Sequence, residues 1–219
     1  GHHANCLGLG FRLDRLVNRH IPFLVQHGFG DAVGKRRACG QIACPRLGVI
    51  QQVFGRDQAV QKATALGLFA TAYAKAKGCR TVCIGSSANA RRLEATRAFG
   101  PDVFIDFRST DADGVRKRVR EEAEAAGRGD GADVCIETSG DPAAFPLGLS
   151  LLRTRGRYFV PGQYSDRGEI AIPPHTITFR ALQIIGSGQY TLDDIRAYLD
   201  FLAEHPALQP RFASVLSCY

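Results

Sequence analysis

Residues 61–87, QKATALGLFATAYAKAKGCRTVCIGSS, have the order of a phosphate-binding turn, a helix and a second strand. A dinucleotide fingerprint, G-x-G-x-x-G, needs each glycine for a different reason. The first makes the tight turn, the second lets backbone approach the pyrophosphate, and the third lets helix pack on strand. Laid onto residues 62–67, the pattern keeps only Gly67, preceded by Leu66, and Gly67 is the packing glycine. Lys62 and Thr64 put side chains where the fingerprint leaves backbone bare. The strand in front is short, with Ala59 and Val60 before the polar Gln61. A helix N-terminus still offers unpaired N–H groups and a positive dipole end to a phosphate, and Lys62 adds a cation.

The adenosine end carries different chemistry. An acid at the end of the second strand normally bonds the ribose hydroxyls and selects NAD. Here that strand ends Ile84-Gly85-Ser86-Ser87 and is followed by Arg91 and Arg92. Serines that donate hydrogen bonds and arginines that grip a 2′-phosphate favour NADP over NAD. The alternative is that Arg91 and Arg92 are solvated helix residues.

These groups need a scaffold, and the sequence punctuates one from Gly67 onward. A helical pattern (Leu68, Phe69, Ala72, Tyr73, Ala76) stops at Gly78, and Thr81 to Ile84 form a short buried strand. Asn89 is placed to cap a helix that closes at Gly100, and Val103 to Ile105 are strand again. A charged amphipathic helix over residues 115–126 is broken by GRGDG, and ADVCIET is the next strand. Asp141-Pro142 opens another helix. RYFVPG and LQIIGS are strands, and TLDD at residues 191–194 is a capping box. Continuous apolar strands alternating with helices predict an α/β fold with a parallel sheet covered on both faces. Residues 1–57 show no sustained period, and only residues 21–25 suggest a strand.

Composition narrows the classes. The chain has 219 residues, 45% of them apolar, which is enough for a proper core. Its net charge of +7 suits anionic ligands, but no basic cluster interleaved with aromatics points to nucleic acid. No apolar run reaches the ~18 residues of a membrane span. The absence of any Met leads us to expect a sequence that starts inside a longer reading frame. Seven cysteines are an odd number, and Cys83 and Cys135 sit inside apolar runs, so a reduced, cytoplasmic setting is expected.

Over residues 66–217 the sequence resembles the cofactor domain of the medium-chain, zinc-type alcohol dehydrogenase superfamily. The resemblance is carried by LGLFATAYAKAKG, RRLEATRAFGPDVFIDF, GADVCIETSG, LSLLRTRGRYFVPGQY and FRALQIIGSGQY, in the family's order and separations. It implies a doubly wound Rossmann sheet in the order 3-2-1-4-5-6, with hydride exchange between NADP or NAD and a small-molecule alcohol or carbonyl. By position, Thr138, Ser139 and Gly140 would flank the cofactor at the end of the fourth strand. Gly162, Gly186 and Gly188 would lie near the nicotinamide. The strand containing Gly186 would pair across a homodimer.

The first part departs from that pattern. Residues 58–219 read as the dinucleotide-binding domain, and residues 1–57 as a divergent, less ordered remnant of a GroES-like catalytic domain. Gly1-His2-His3 echoes a Gly-His-Glu motif with His3 where the glutamate belongs. Cys39 and Cys44 echo the structural zinc loop, but Ile42 and Pro45 stand where cysteines are needed. A catalytic zinc needs three protein ligands, and only His2 matches by position, so no metal ligand and no catalytic residue is assigned. The chain thus looks shortened at both ends and in the middle.

Other motifs weaken on inspection. Tyr73 and Lys77 have the Y-x-x-x-K spacing of short-chain dehydrogenases, yet on this helix they read as a packed tyrosine and a surface lysine. GFGDAVG at residues 28–34 mimics a phosphate turn but no amphipathic helix follows. His175, read as a loop residue, is expected at the surface. Two rival functions remain: a non-catalytic nucleotide-binding or dimerisation module, and a methyltransferase, which would want an acid where Ser86 and Ser87 stand.

Overall fold

The computed structural model describes residues 47–51, 60–163, 165–188 and 190–215, with side chains from residue 65 onward. The readings for residues 1–46 lie outside the described residues: the strand at 21–25, the glycine turn at 28–34, and the echoes at His2, Cys39 and Cys44. So does the expected lesser order there.

The elements alternate as expected. They are β1 (Leu47–Gln51), α1 (Val60–Ala76), β2 (Arg80–Gly85), α2 (Ala90–Phe99), β3 (Val103–Asp106), α3 (Ala112–Ala125) and β4 (Ala132–Glu137). Then come α4 (Ala144–Leu151), β5 (Leu152–Val160), α5 (Pro174–Phe179), β6 (Gln183–Gly186), α6 (Leu192–Glu204) and α7 (Gln209–Ser214). All strand pairs are parallel, and the six strands lie side by side as β3-β2-β1-β4-β5-β6. Parallel strands need crossovers, and the helices between them supply these.

One strand is not where the sequence reading put it. The strand before α1 is Leu47–Gln51, inside the stretch 1–57 where only residues 21–25 suggested one, and Val60 is the first residue of α1. Leu47, Val49 and Ile50 form an apolar run too short to identify by period. Its identity comes from pairing: β1 bonds β2 on one side and β4 on the other.

The local signals behave as their chemistry requires. The Asn89 side chain accepts the Arg92 N–H at 3.1 Å, and Gly100 ends α2 in the left-handed conformation at φ 62°. In the separate segment that contains α6, Thr191 and Asp194 form the expected capping box.

Side chains cover the sheet. Val82, Ile84, Cys135 and Tyr158 from the strands cluster with Val115, Val119 and Ala123 of α3 and with Leu149 and Leu151 of α4. A second cluster is aromatic. Phe69 of α1 lies 4.5 Å from Phe212 of α7 and 6.4 Å from Phe99 of α2, centroid to centroid. Tyr73 is buried in α1, with the exposed Lys77 ammonium 5.4 Å from its ring, so the Y-x-x-x-K pair is a packing feature. No helix among the described residues is long and apolar enough to cross a membrane.

Candidate functional site

In a parallel sheet the carboxyl ends of all strands share one edge, and the residues that follow them meet there. β2 runs into Ser86 and Ser87, β4 into Thr138, Ser139 and Gly140, β5 into Gly162, and β6 ends at Gly186, close to Gly188. Leu66 and Gly67 are elsewhere. Both are buried in the interior of α1, and the Gly67 carbonyl accepts the Thr71 hydroxyl at 2.8 Å. This corrects the turn reading, since residues 62–67 are helix throughout. The helix end that faces the sheet's carboxyl edge is Val60, and its first turn holds no acidic residue.

Two carboxylates organise this edge, and the sequence reading singled out neither. The first is Asp106, the last residue of β3. It accepts the Ser87 hydroxyl, the Ser87 N–H at 3.3 Å and the Arg108 N–H at 3.0 Å. Burial pushes its acidity down, but the bonds from Ser87 and Arg108 and the charge of Arg108 outweigh that. The carboxyl is held below the usual range. An ionised acid therefore stands beside the tip of β2 after all, supplied by the neighbouring strand. The signal was FIDF, an apolar strand that ends in an acid. Arg91, at the start of α2, is exposed, and Arg92 gives its N–H to the Asn89 cap.

The second is Glu137, the last residue of β4 and fully buried. Its Oε1 accepts the Ser139 N–H at 2.5 Å, the Ser139 hydroxyl and the Gly140 N–H at 3.0 Å. Its Oε2 accepts Gln163 Nε2 at 3.2 Å, and its main-chain oxygen accepts the Gly162 N–H at 2.9 Å. The predicted residues Ser139, Gly140 and Gly162 are thus brought together, around a carboxylate. Gly140 has φ +69°, and a Cβ there would lie 2.6 Å from the Gly162 oxygen. A Cβ on Gly162 would lie 2.6 Å from Glu137 Oε2 and 2.7 Å from the Thr138 carbonyl carbon. Gly186 and Gly188 differ, for their missing Cβ atoms would meet nothing within 4 Å.

Beneath Glu137 lies Tyr158, with a hydroxyl that is buried and has no hydrogen-bond partner among the described residues. Burial, with Cys135 and Glu137 nearby, pushes its acidity far down. A buried hydroxyl without a partner costs about 1–3 kcal/mol. Tyr158→Phe is therefore expected to leave stability unchanged or raise it by about 1 kcal/mol, read as a higher melting temperature. A drop of that size would show that the hydroxyl is engaged. The Cys83 thiol is also buried, which pushes its pKa up to about 12 and leaves it inert. His175 is exposed, in the first turn of the short α5 rather than in a loop.

Residues 65–204 match the family of zinc-binding dehydrogenases. The chain belongs to that family. An alcohol dehydrogenase of Cupriavidus necator is 31% identical over 179 residues, spanning 68% of this chain and 46% of that protein. Among solved structures, an alcohol dehydrogenase from Thermotoga maritima superposes with a TM-score of 0.66 at 20% identity, over 85% of this chain and 46% of that one. A protein assigned as a zinc-binding dehydrogenase from Sinorhizobium meliloti 1021, bound to NADP, gives 0.54 at 18% identity, over 82% of this chain and 44% of that one. This chain spans less than half the length of each. Among the described residues no group of three or more His, Cys, Asp or Glu could hold a metal ion.

Proposed function

We propose that this chain is the dinucleotide-binding part of an alcohol dehydrogenase-like oxidoreductase, which exchanges hydride between a nicotinamide cofactor and a small alcohol or carbonyl. The observation that carries this reading is the gathering of Ser86, Ser87, Thr138, Ser139, Gly140, Gly162, Gly186 and Gly188 at one edge of a parallel sheet. Open α/β sheets take ligands at that edge, where the strand order reverses. The reversal lies between β1 and β4, which supports a Rossmann domain in the order 3-2-1-4-5-6 made of β1 and residues 58–219. Residues before β1 are then the remnant of the catalytic domain.

The first turn of α1 would face the pyrophosphate, with no side-chain acid to repel it. The residues after β4, β5 and β6 would hold the nicotinamide half. The bound cofactor supplies the hydride chemistry, and the chain supplies orientation and exclusion of water. Ser86, Ser87, Arg91 and Arg92 would take the adenosine end. Among the described residues β6 is an edge strand and its Ile184 is 39% exposed, which supports pairing with a second copy. Buried free thiols at Cys83 and Cys135 suit a cytoplasmic setting.

The test is a thermal shift. Ligand at about 100 times its Kd stabilises by about 2.7 kcal/mol, which moves the melting temperature of a chain this size by about 5–10 °C. A shift of that order with NADH or NADPH supports the reading, and no shift at millimolar concentration of either defeats it.

Asp106 bears on which cofactor is preferred. A 2′-phosphate bonded to Ser87 would sit beside its negative charge, which offsets what the exposed Arg91 offers. NADH is expected to bind at least as tightly as NADPH. Asp106→Ala should then move the affinity ratio toward NADPH by about tenfold, on the order of 1 kcal/mol at a partly exposed site. An unchanged ratio in parallel titrations would remove Asp106 from the specificity account.

A further inference from the structure

We propose that Glu137 is the positioning residue of this site: it clamps the turn after β4 to the turn after β5 and so sets the surface that meets the nicotinamide half of the cofactor. The inference rests on the dinucleotide reading above and adds a residue to it. One side chain bonds both turns. Ser139 and Gly140 donate to Oε1, and Gln163 donates to Oε2. Gln163 also donates to the Asp141 oxygen at 3.0 Å, which closes the ring of contacts from β5 back to the β4 turn. The two turns are further tied by the Gly162 N–H on the Glu137 main-chain oxygen. Both glycines lack a Cβ where the clamp leaves no room for one.

No ion pair joins Glu137 to a cation among the described residues, and its neighbours on the sheet face, Cys135 and Tyr158, are neutral thiol and phenol. Among the described residues its charge is held by hydrogen bonds. Burial raises its pKa, and the bonds from Ser139, Gly140 and Gln163 offset only part of that rise. The folded state then binds the proton more tightly than the unfolded chain does. Stability contributed by this group is therefore present below the ordinary glutamate range and is lost as pH rises through the raised value. Alanine at 137 would orphan the donors in a dry pocket, whereas glutamine keeps a carbonyl oxygen for Ser139 and Gly140 and loses only the acceptor for Gln163.

Three chains of residues 1–219 are compared: the parent, Glu137→Ala and Glu137→Gln. Each is followed by amide hydrogen exchange and by NADH titration. In Glu137→Ala the Ser139, Gly140 and Gly162 amides should exchange about tenfold faster or more while those of β2 are unchanged, and NADH affinity should fall by a similar factor. Glu137→Gln should stay within about threefold of the parent on both readouts and lose the parent's decline in melting temperature as pH rises. Unchanged exchange at those amides in Glu137→Ala overturns the clamp. Faster exchange with unchanged NADH affinity overturns its role in positioning. If the parent itself binds no dinucleotide, the site reading has failed, and with it the positioning role; exchange alone then decides whether the clamp exists. Should Glu137→Ala fail to fold, Ser139→Ala decides, because it leaves the carboxylate in place and removes one hydroxyl, which donates to Glu137 and accepts the Asp141 N–H at 3.1 Å. Faster exchange across the clamp at Gly162 supports the proposal, and no change there counts against it.

Discussion

Replacing Gly162 with alanine should lower the melting temperature by about 5–10 °C and weaken cofactor binding about tenfold or more. The added Cβ would stand 2.6 Å from Glu137 Oε2, 2.7 Å from the Thr138 carbonyl carbon and 2.9 Å from the Gly140 nitrogen. Two of those neighbours are backbone and cannot rotate away. Overpacking of this kind costs about 1–3 kcal/mol, and the high end applies when main chain must move. A chain of this length converts each kcal/mol into about 2–4 °C. The movement would also strain the Gly162 N–H bond to Glu137, so the loss reaches the site. Gly188→Ala is the control. Its Cβ would meet nothing within 4 Å, so stability should stay within about 0.5 kcal/mol. Any affinity lost at Gly188 then reports contact with the ligand itself. Equal melting temperatures for Gly162→Ala and the parent, by calorimetry, would refute the packing argument.

Phe69→Ala should have the largest effect on stability, about 3–5 kcal/mol. Phe69 is 4% exposed and shares a cluster with Phe99 and Phe212, which themselves stack at 6.0 Å. Deleting its ring removes apolar burial, leaves a cavity and breaks aromatic pairs worth about 0.5–1.5 kcal/mol each. The cavity lies on α1, so the loss also loosens the helix whose first turn is proposed to face the pyrophosphate. Denaturant unfolding measures the change, and a loss below about 1 kcal/mol would show that the cluster is not closed.

These two substitutions fall on opposite sides of what the sequence can tell. The aromatic cluster follows from helical spacing in α1 and α2, where Phe69 and Phe99 recur on apolar stripes. Strands β2, β3 and β4 were readable because each is a continuous apolar run between breakers. The Asn89 cap and the Thr191–Asp194 box were readable because their chemistry spans three residues of chain. Strand β1 was not readable, because Gly48 and the polar Gln51 dilute its apolar run and only pairing on both sides makes it a strand. Spacing alone cannot say how far α1 extends toward its start, so in the sequence Gly67 has the look of a turn's end although it lies inside the helix. Glu137 and Asp106 were passed over for a third reason. Besides local bonds, each has a partner from another strand end, Gln163 and Ser87, which lies far along the chain and meets it only where parallel strands end together. The signal present in the sequence was an acid closing each of two buried strands, in FID and CIE, and a buried strand that ends in an acid must satisfy it nearby.

The central claim is that this edge of the sheet still holds a dinucleotide although two of three fingerprint glycines are missing. Nicotinamide fluorescence, followed while NADH and then NADPH are titrated into the purified chain, tests it most directly. The account predicts saturable enhancement with NADH, at an affinity equal to or tighter than that for NADPH, and a tenfold loss in Gly162→Ala. Fluorescence that rises only linearly with either cofactor would contradict it and leave a dehydrogenase scaffold whose cofactor site is closed.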